Sequence, residues 1–141
     1  MFRNILVPID LHHENTWREV LPLAVEQVRS SGAKLHIMTA VPVLDLALPA
    51  VHLPKDYDKH LLEHARQGLT TLVNEQVPDD LAVNLIVKEG VPYREILHAI
   101  EDNHVDLVIM ASHTPEIKDY LVGSNAARVV LHANCSVMVV R

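Results

Sequence analysis

Aromatic residues and cysteines are scarce in this chain of 141 residues. It has one Trp, one Phe and three Tyr, so its hydrophobic core must be built mainly from Val, Leu, Ile and Ala. The single cysteine, Cys135, excludes a disulfide within the chain and is typical of a reducing compartment. Because Cys135 precedes the apolar run SVMVV, we interpret it as a packed, inert thiol rather than a reactive one.

The chain also lacks long apolar runs and an excess of positive charge. No stretch approaches the roughly 20 apolar residues that a membrane-spanning helix needs, and the N-terminus MFRNILVPID has no signal-peptide pattern. The formal net charge of −6, with histidine neutral, argues against nucleic acid or an anionic membrane as the main partner. We therefore predict one soluble, cytoplasmic domain that covers residues 1–141.

Short apolar runs alternate with helical patterns along the sequence. Most of these runs are continuously apolar, which is typical of strands that are covered on both faces of a sheet. The third run alternates more, so we expect it at a sheet edge. The predicted strands are Asn4–Ile9, Lys34–Val41, Ala82–Gly90, Val105–Ser112 and Ser136–Arg141.

The first predicted helix follows the first strand. Thr16 and Glu19 have the spacing of a capping box, and Gly32 is placed to end the helix. Pro22 lies inside this pattern and should kink the helix or delay its regular part.

Three further helices are predicted at Asp56–Val77, from Pro92 onward, and at Gly123–Ala133. The alternation of strands and helices predicts an α/β fold, namely a single open five-stranded parallel sheet with helices on both faces. Between the second strand and the second helix, residues Val41–Asp56 contain three prolines and should form a long loop that is a candidate lid.

Open parallel sheets bind ligands beyond the carboxyl ends of their strands, where the strand order reverses. In a 3-2-1-4-5 order, this crevice would lie between the first and fourth strands, which end with Pro8–Asp10 and Ala111–His113. Asp10 would either accept hydrogen bonds from nearby backbone amides or meet a ribose hydroxyl or an adenine amine. It should not meet phosphate, because like charges repel.

A second candidate region opens the last helix. The free N–H groups and the dipole of a helix that starts at Gly123-Ser124 suit an anion, although an N-cap by Ser124 explains the same residues and is favoured on physics alone. His113 either reaches a sugar or phosphate oxygen or is an ordinary loop histidine. His60 and His64 share a helix face, which we interpret as solvated, because no further metal ligands have matching spacing.

The sequence contains no GxxxxGKS/T and no GxGxxG after the first strand, so it lacks the usual phosphate-loop and dinucleotide patterns. No Ser/His/Asp or Cys/His set falls on consistent strand ends, which gives no case for covalent catalysis. We predict no catalytic residue and no metal ligand.

Three segments resemble the universal stress protein family: NILVPID at the start, EGVPYREILHAIEDNHVDLVIMASH in the middle and LVGSNAARVVLHANCSVMVVR at the end. The similarity covers nearly the whole chain except the loop after the second strand. It is greatest to the small single-domain F-type branch, whose members carry a similar ASH…P…YL.GSNAA loop. The resemblance implies a Rossmann-like sheet of order 3-2-1-4-5, a role in stress responses and homodimerisation. Many relatives bind ATP, and others do not.

The nucleotide-binding relatives carry glycine, two residues, glycine, nine residues and then Gly-Ser or Gly-Thr after the fourth strand. In this chain Ala111 and Thr114 occupy the first two glycine positions, and eight residues, Pro115–Val122, precede Gly123-Ser124. Thr114 is poorly suited to positive φ and is biased toward extended conformations by the proline that follows it. The loop should therefore take a different path, in which the Thr114 hydroxyl is able to donate to a phosphate oxygen.

Together, the resemblance and the strand ends predict a site for an adenine nucleotide, ATP or AMP, with Mg²⁺ as an optional companion of the phosphates. The alternatives are a nucleotide-free dimeric interaction module with an unknown protein partner and, less favoured, a slow ATPase, for which no base is evident against a γ-phosphate. The predicted nucleotide contacts are Pro8, Ile9, Asp10, Ala40, Val41, Met110, Ala111, Ser112, His113, Thr114, Gly123, Ser124 and Asn125.

The last strand, Ser136–Arg141, should lie at the outside of the sheet next to the fourth, with no tail to cover it. An exposed apolar strand edge promotes unwanted association. Pairing with a second copy about a two-fold axis removes that exposed edge. We therefore predict a homodimer whose interface includes Val137, Met138, Val139 and Val140.

Overall fold

The computed structural model of the chain describes residues 1–43, 56–112 and 124–141. Most of the candidate lid, and His113, Thr114 and Gly123 of the predicted site, lie outside these residues. The strands are β1 (Asn4–Pro8), β2 (Lys34–Val41), β3 (Val83–Glu89), β4 (Leu107–Ala111) and β5 (Ser136–Val140). The helices are α1 (Val20–Ser31), α2 (Tyr57–Gln76), α3 (Pro92–Asp102) and α4 (Ser124–His132), and a 3₁₀ helix spans Glu14–Thr16.

The strands form one parallel sheet in the order β3-β2-β1-β4-β5, which confirms the predicted α/β fold and strand order. Strand β1 is central: its Val7 is opposite Ile37 of β2, and its Ile5 is opposite Leu107 of β4. Strand β3 lies at one edge, as its alternating pattern predicted, and β5 lies at the other.

Both faces of the sheet are covered because successive side chains of a strand point to opposite faces. Ile5 and Val7 of β1 pack on the face covered by α1 and α2, together with Leu21 and Leu69 of those helices. Leu6 of β1 points to the other face, where α3 and α4 contribute residues such as Ile96 and Val129. Burial on both sides explains why the central strands read as continuous apolar runs.

The first helix differs from its prediction at its start. Thr16 does not cap α1 but lies in the 3₁₀ helix, where its Oγ1 accepts the Asp10 N–H at 2.9 Å and lies 2.7 Å from the His13 carbonyl oxygen. Helix α1 begins at Val20, so Pro22 falls in its first turn, where the missing N–H costs no helical hydrogen bond. The proline therefore delays the helix rather than kinking it. Gly32 ends α1 with φ of 70°, as predicted.

A polar chain crosses three strands on the α3 side of the sheet. His36 of β2 is only 6% exposed, and its Nε2 lies 3.1 Å from Oδ1 of Asn4 while its Nδ1 lies 2.9 Å from Nδ2 of Asn84. Because Asn84 Nδ2 is a donor, Nδ1 accepts and Nε2–H donates, so the ring is neutral. Burial, and then the charge of Lys34, lower the pKa of His36. The side-chain Nδ2 of Asn4 also donates to the backbone carbonyl of His104, just beyond α3, at 3.2 Å.

Across the three described segments, none of the helices combines the length and apolarity that crossing a bilayer requires.

Candidate functional site

A cleft opens at the carboxyl edge of the sheet between β1 and β4. The chain leaves β1 toward α1 on one face and leaves β4 toward α4 on the other, so a crevice forms at this reversal of strand order. Its walls bring together residues that the sequence predicted from separate strand ends. These are Pro8, Ile9, Asp10, Ala40, Met110, Ala111, Ser112, Ser124 and Asn125.

Val41 is described but is not part of the cleft wall. It is half-buried at the end of β2, and its carbonyl accepts the Gly90 N–H at 2.9 Å, so its backbone belongs to the contact between β2 and β3. The role of the remaining predicted residues as nucleotide contacts stays a prediction.

The sequence missed five residues that also line the cleft: Thr16, Met38, Pro92, Ile96 and Ala126. Ile96 and Ala126 come from the inner faces of α3 and α4, and Met38 from inside β2. Their apolar periodicity indicated core residues, which they are, and nothing in the pattern showed that this core borders a crevice. Pro92 was recognised only as the start of a helix.

The residues that line the cleft differ in polarity. Ile9, Met38, Ile96 and Met110 give it an apolar floor, and each of them is less than a tenth exposed. Asp10 lies in the wall formed by the β1 exit, and Ser124 lies where α4 begins. Such a cleft suits a ligand that has a flat apolar part and polar groups at its ends.

Asp10 is held by its own loop. Its Oδ1 accepts the His12 N–H at 2.9 Å, and its Oδ2 lies 2.8 Å from Nδ1 of His13. The interpretation of Asp10 as a carboxylate that accepts nearby donors is therefore correct. A carboxylate oxygen accepts more than one hydrogen bond, and the side chain is 48% exposed, so Asp10 is also accessible to a ligand.

Another part of the cleft wall is formed where α4 begins. Ser124, Asn125 and Ala126 are the first three residues of this helix, and all three line the cleft. The first N–H groups of a helix have no partner within it and carry the positive end of the helix dipole. This part of the cleft is therefore suited to a phosphate or another anion.

Two other candidates take no part in this cleft. His60 and His64 lie exposed on α2, and among residues 1–43, 56–112 and 124–141 no group of three or more His, Cys, Asp or Glu is arranged to hold a metal ion. Cys135 is half-buried just before β5, and burial, followed by the charge of Asp106, raises the pKa of its thiol. The raised pKa disfavours the thiolate, which supports the interpretation of Cys135 as a packed, unreactive thiol.

The fold and the cleft define a class of protein, the Rossmann-like domains whose ligand crevice lies at the reversal of strand order. Within this class, the model of the universal stress protein family matches residues 1–141. The chain belongs to the universal stress protein family, as the resemblance of its motifs indicated.

Several known proteins are similar over the whole chain. Universal stress protein G of Escherichia coli O157:H7 is 28% identical over 143 residues, which cover 100% of both proteins. Universal stress protein MJ0577 of Methanocaldococcus jannaschii is 26% identical and covers 100% of this chain and 96% of its own length. The solved structure of MJ0577 superimposes with a TM-score of 0.76 over 99% of this chain and 96% of that chain, at 24% identity.

Two more distant solved structures contain nucleotides. One is a universal stress protein in complex with cAMP, with a TM-score of 0.61 and 19% identity over 99% of this chain and 97% of that one. The other is an Arabidopsis thaliana protein of the family with AMP bound, with a TM-score of 0.61 and 15% identity over 98% and 90% of the two chains. At these identities the similarity shows a shared fold.

Proposed function

We propose that this chain binds an adenine nucleotide, ATP or AMP, in the cleft between β1 and β4 and acts as a regulatory module in the stress response. The observation that carries this proposal is the combination of groups that line one cleft, namely a carboxylate at the β1 exit, an apolar floor and a helix start. These suit, respectively, the nucleoside hydroxyls or amine, the adenine ring and a phosphate. The cAMP and AMP complexes of two related proteins support the same ligand class.

Of the two positions at which this chain replaces a glycine of its nucleotide-binding relatives, only Ala111 lies among the described residues. Ala111 is half-buried in the cleft wall, where its methyl group occupies space that glycine would leave to the ligand. The methyl is a modest obstruction, because the start of α4 can meet a phosphate without help from this position.

Ser124 and Asp10 should affect two ligands differently. Ser124→Ala removes a hydroxyl and leaves the helix amides, so ATP should bind several-fold more weakly, or by about 1 kcal/mol, while adenosine should bind unchanged. Asp10→Ala should weaken both ligands, because Asp10 would meet the nucleoside. Calorimetric titration of ATP and adenosine into wild type and both variants measures these changes in affinity. Ser30→Ala is the matched control, since Ser30 is an exposed serine near the end of α1, away from the cleft.

The same titrations separate this function from the nucleotide-free alternative. If wild-type protein binds neither ligand at millimolar concentration, the nucleotide proposal fails. If Asp10→Ala tightens ATP and leaves adenosine unchanged, Asp10 lies beside the phosphates and the orientation is reversed. An independent check is to denature freshly purified protein and identify any nucleotide it releases.

We further propose that two copies of the chain pair through β5. This strand is an edge of the sheet, and its apolar residues from Val137 to Val140 are only half-buried. Nearby on α4, Val130 and Leu131 are exposed. An unpaired strand edge beside exposed apolar side chains supports a self-complementary interface.

A further inference from the structure

Two arginines from different helices converge on one tyrosine. Arg94 of α3 donates from Nε to the Tyr93 hydroxyl at 3.0 Å, and its Cζ lies 5.7 Å from the centroid of the Tyr93 ring. Arg128 of α4 lies over the same ring, with its Cζ 4.7 Å from the centroid. Both arginines are exposed, while Tyr93 is half-buried and packs against the core between the helices. The ring therefore holds two guanidinium groups close together.

Neither guanidinium has a carboxylate partner within the described part of the chain. The neighbouring acid, Glu95, lies 3.5 Å from Nδ1 of His98 instead. Two other exposed arginines are paired, Arg18 with Glu14 at 3.2 Å and Arg29 with Asp80 at 3.1 Å. The protein carries a formal net charge of −6, yet among the described residues no carboxylate is paired with either of these two like charges. A bound anion would relieve their repulsion.

The position of Arg94 does not stabilise helix α3. It is the third residue of α3 and so lies at the positive end of the helix dipole, where a cation is unfavourable. The hydrogen bond from Arg94, together with the charges of both arginines, lowers the pKa of the Tyr93 phenol. Both observations indicate a positive potential at this surface that the helices themselves do not require.

The three residues lie beside the cleft. Tyr93 follows Pro92, which lines the cleft, and Arg128 follows Ser124 by four positions on α4, so Ser124 and Arg128 share a face one helical turn apart. A turn advances about 5.4 Å along the helix, a distance that a chain of phosphates is able to span. Arg128 thus lies about one helical turn from the helix start at which a first phosphate would bind, and the Tyr93 ring holds Arg94 close to it.

We propose that Arg94 and Arg128, held by Tyr93, form an anion subsite for the terminal phosphate of a polyphosphate chain whose nucleoside lies in the cleft. This inference rests on the proposed function and extends it, because it selects a nucleoside triphosphate over a monophosphate. Guanidinium groups suit this role, since their planar N–H groups match phosphate oxygens in pairs.

The test compares Arg128→Gln with Arg66→Gln by calorimetry against ATP, AMP and inorganic triphosphate. Arg66 is exposed on α2, on the other face of the sheet, so both variants lose one positive charge and only one alters the subsite. Arg128→Gln should weaken ATP and inorganic triphosphate about tenfold and leave AMP within about twofold. Arg94→Gln should act in the same direction.

The proposal is overturned if wild-type protein binds neither ATP nor inorganic triphosphate, if Arg66→Gln weakens them as much as Arg128→Gln does, or if AMP weakens as much as ATP. Inorganic triphosphate separates this inference from the proposed function, because it carries no adenine. If AMP and adenosine fail to bind but triphosphate still depends on Arg128, the nucleotide function fails and the anion subsite stands. Loss of thermal stability in Arg128→Gln with unchanged triphosphate affinity would assign the arginines a structural role only.

Discussion

Replacing Val139 by proline should convert the proposed dimer into a folded monomer. The Val140 carbonyl accepts the Ser112 N–H at 2.8 Å, so the backbone groups of Val140 face β4. The N–H and C=O groups of successive strand residues point to opposite sides, and those of Val139 therefore face the open edge. Proline is tolerated where the lost N–H faces away from the sheet. The monomer keeps its hydrogen bonds, and only pairing with a second copy is impaired.

The dimer dissociation constant should rise roughly a hundredfold. A two-fold axis places the change on both sides of the interface, each lost hydrogen bond is worth about 1 kcal/mol, and the proline ring obstructs close approach. Analytical ultracentrifugation measures the association, and circular dichroism checks the fold. Met138→Pro is the matched control: its N–H faces β4, so that variant should lose stability as well. A wild-type monomer at micromolar concentration, or an undiminished dimer of Val139→Pro, would contradict the proposed interface.

Replacing His36 by leucine should lower the free energy of unfolding by about 2 kcal/mol or more at pH 7.5 and reduce its dependence on pH. Leucine leaves the half-buried Asn4 oxygen without its His36 donor and the exposed Asn84 amide without its His36 acceptor, so most of the cost falls on Asn4. A buried polar group without a partner costs about 1–3 kcal/mol. Urea unfolding at several pH values measures both effects.

The direction of the pH effect follows from the lowered pKa of His36. The folded protein keeps the ring neutral, whereas in the unfolded chain the ring takes up a proton as the pH falls below its ordinary pKa of 6.5. The contribution of His36 to stability is therefore complete above that value and is lost as the pH falls toward the lowered pKa of the folded state. Protonation would also place a donor on Nδ1 against the donating amide of Asn84.

The chain contains nine other histidines, so the informative quantity is the difference between wild type and variant. His60→Gln is the matched control, because it also removes one histidine but from an exposed position on α2, away from Asn4 and Asn84. If His36→Leu unfolds with the same pH dependence as wild type, the pKa of His36 is not lowered in the folded protein.

The sequence predicted the strands well because their burial on both faces produces continuous apolar runs, as in NILVPI and VDLVIMAS. The strand order could not be predicted in the same way, because the alternation of strands and helices implies only that the sheet is parallel. The order 3-2-1-4-5 came from the family resemblance. The predicted cap at Thr16 was wrong because the spacing of Thr16 and Glu19 is a local signal. Pro22 restricts the helix start more strongly, since it fits only in the first turn.

Residues of the cleft could be predicted where they lie near a strand end or at the start of a helix, and not where they lie deeper inside an element. Ile96 and Met38 read as core because they are core, and only the packing of α3 against β2 makes them part of a wall. His36 was missed for a related reason. Its partners lie 32 and 48 residues away in sequence, and no local pattern in KLHIMTAV indicates a buried polar chain.

The contacts of Asp10 have a consequence for the entropy of binding. Its carboxylate is fixed by the His12 amide and the His13 ring, and its own N–H is bound by Thr16, so the orientation of the side chain is set when the protein folds. A ligand that meets Asp10 does not have to order a freely rotating carboxylate, a cost of about 0.5–1.5 kcal/mol for a flexible side chain. Replacing His13 by a residue whose side chain is too short to contact Asp10 would thus loosen the Asp10 carboxylate. Binding would weaken although no group that touches the ligand is removed.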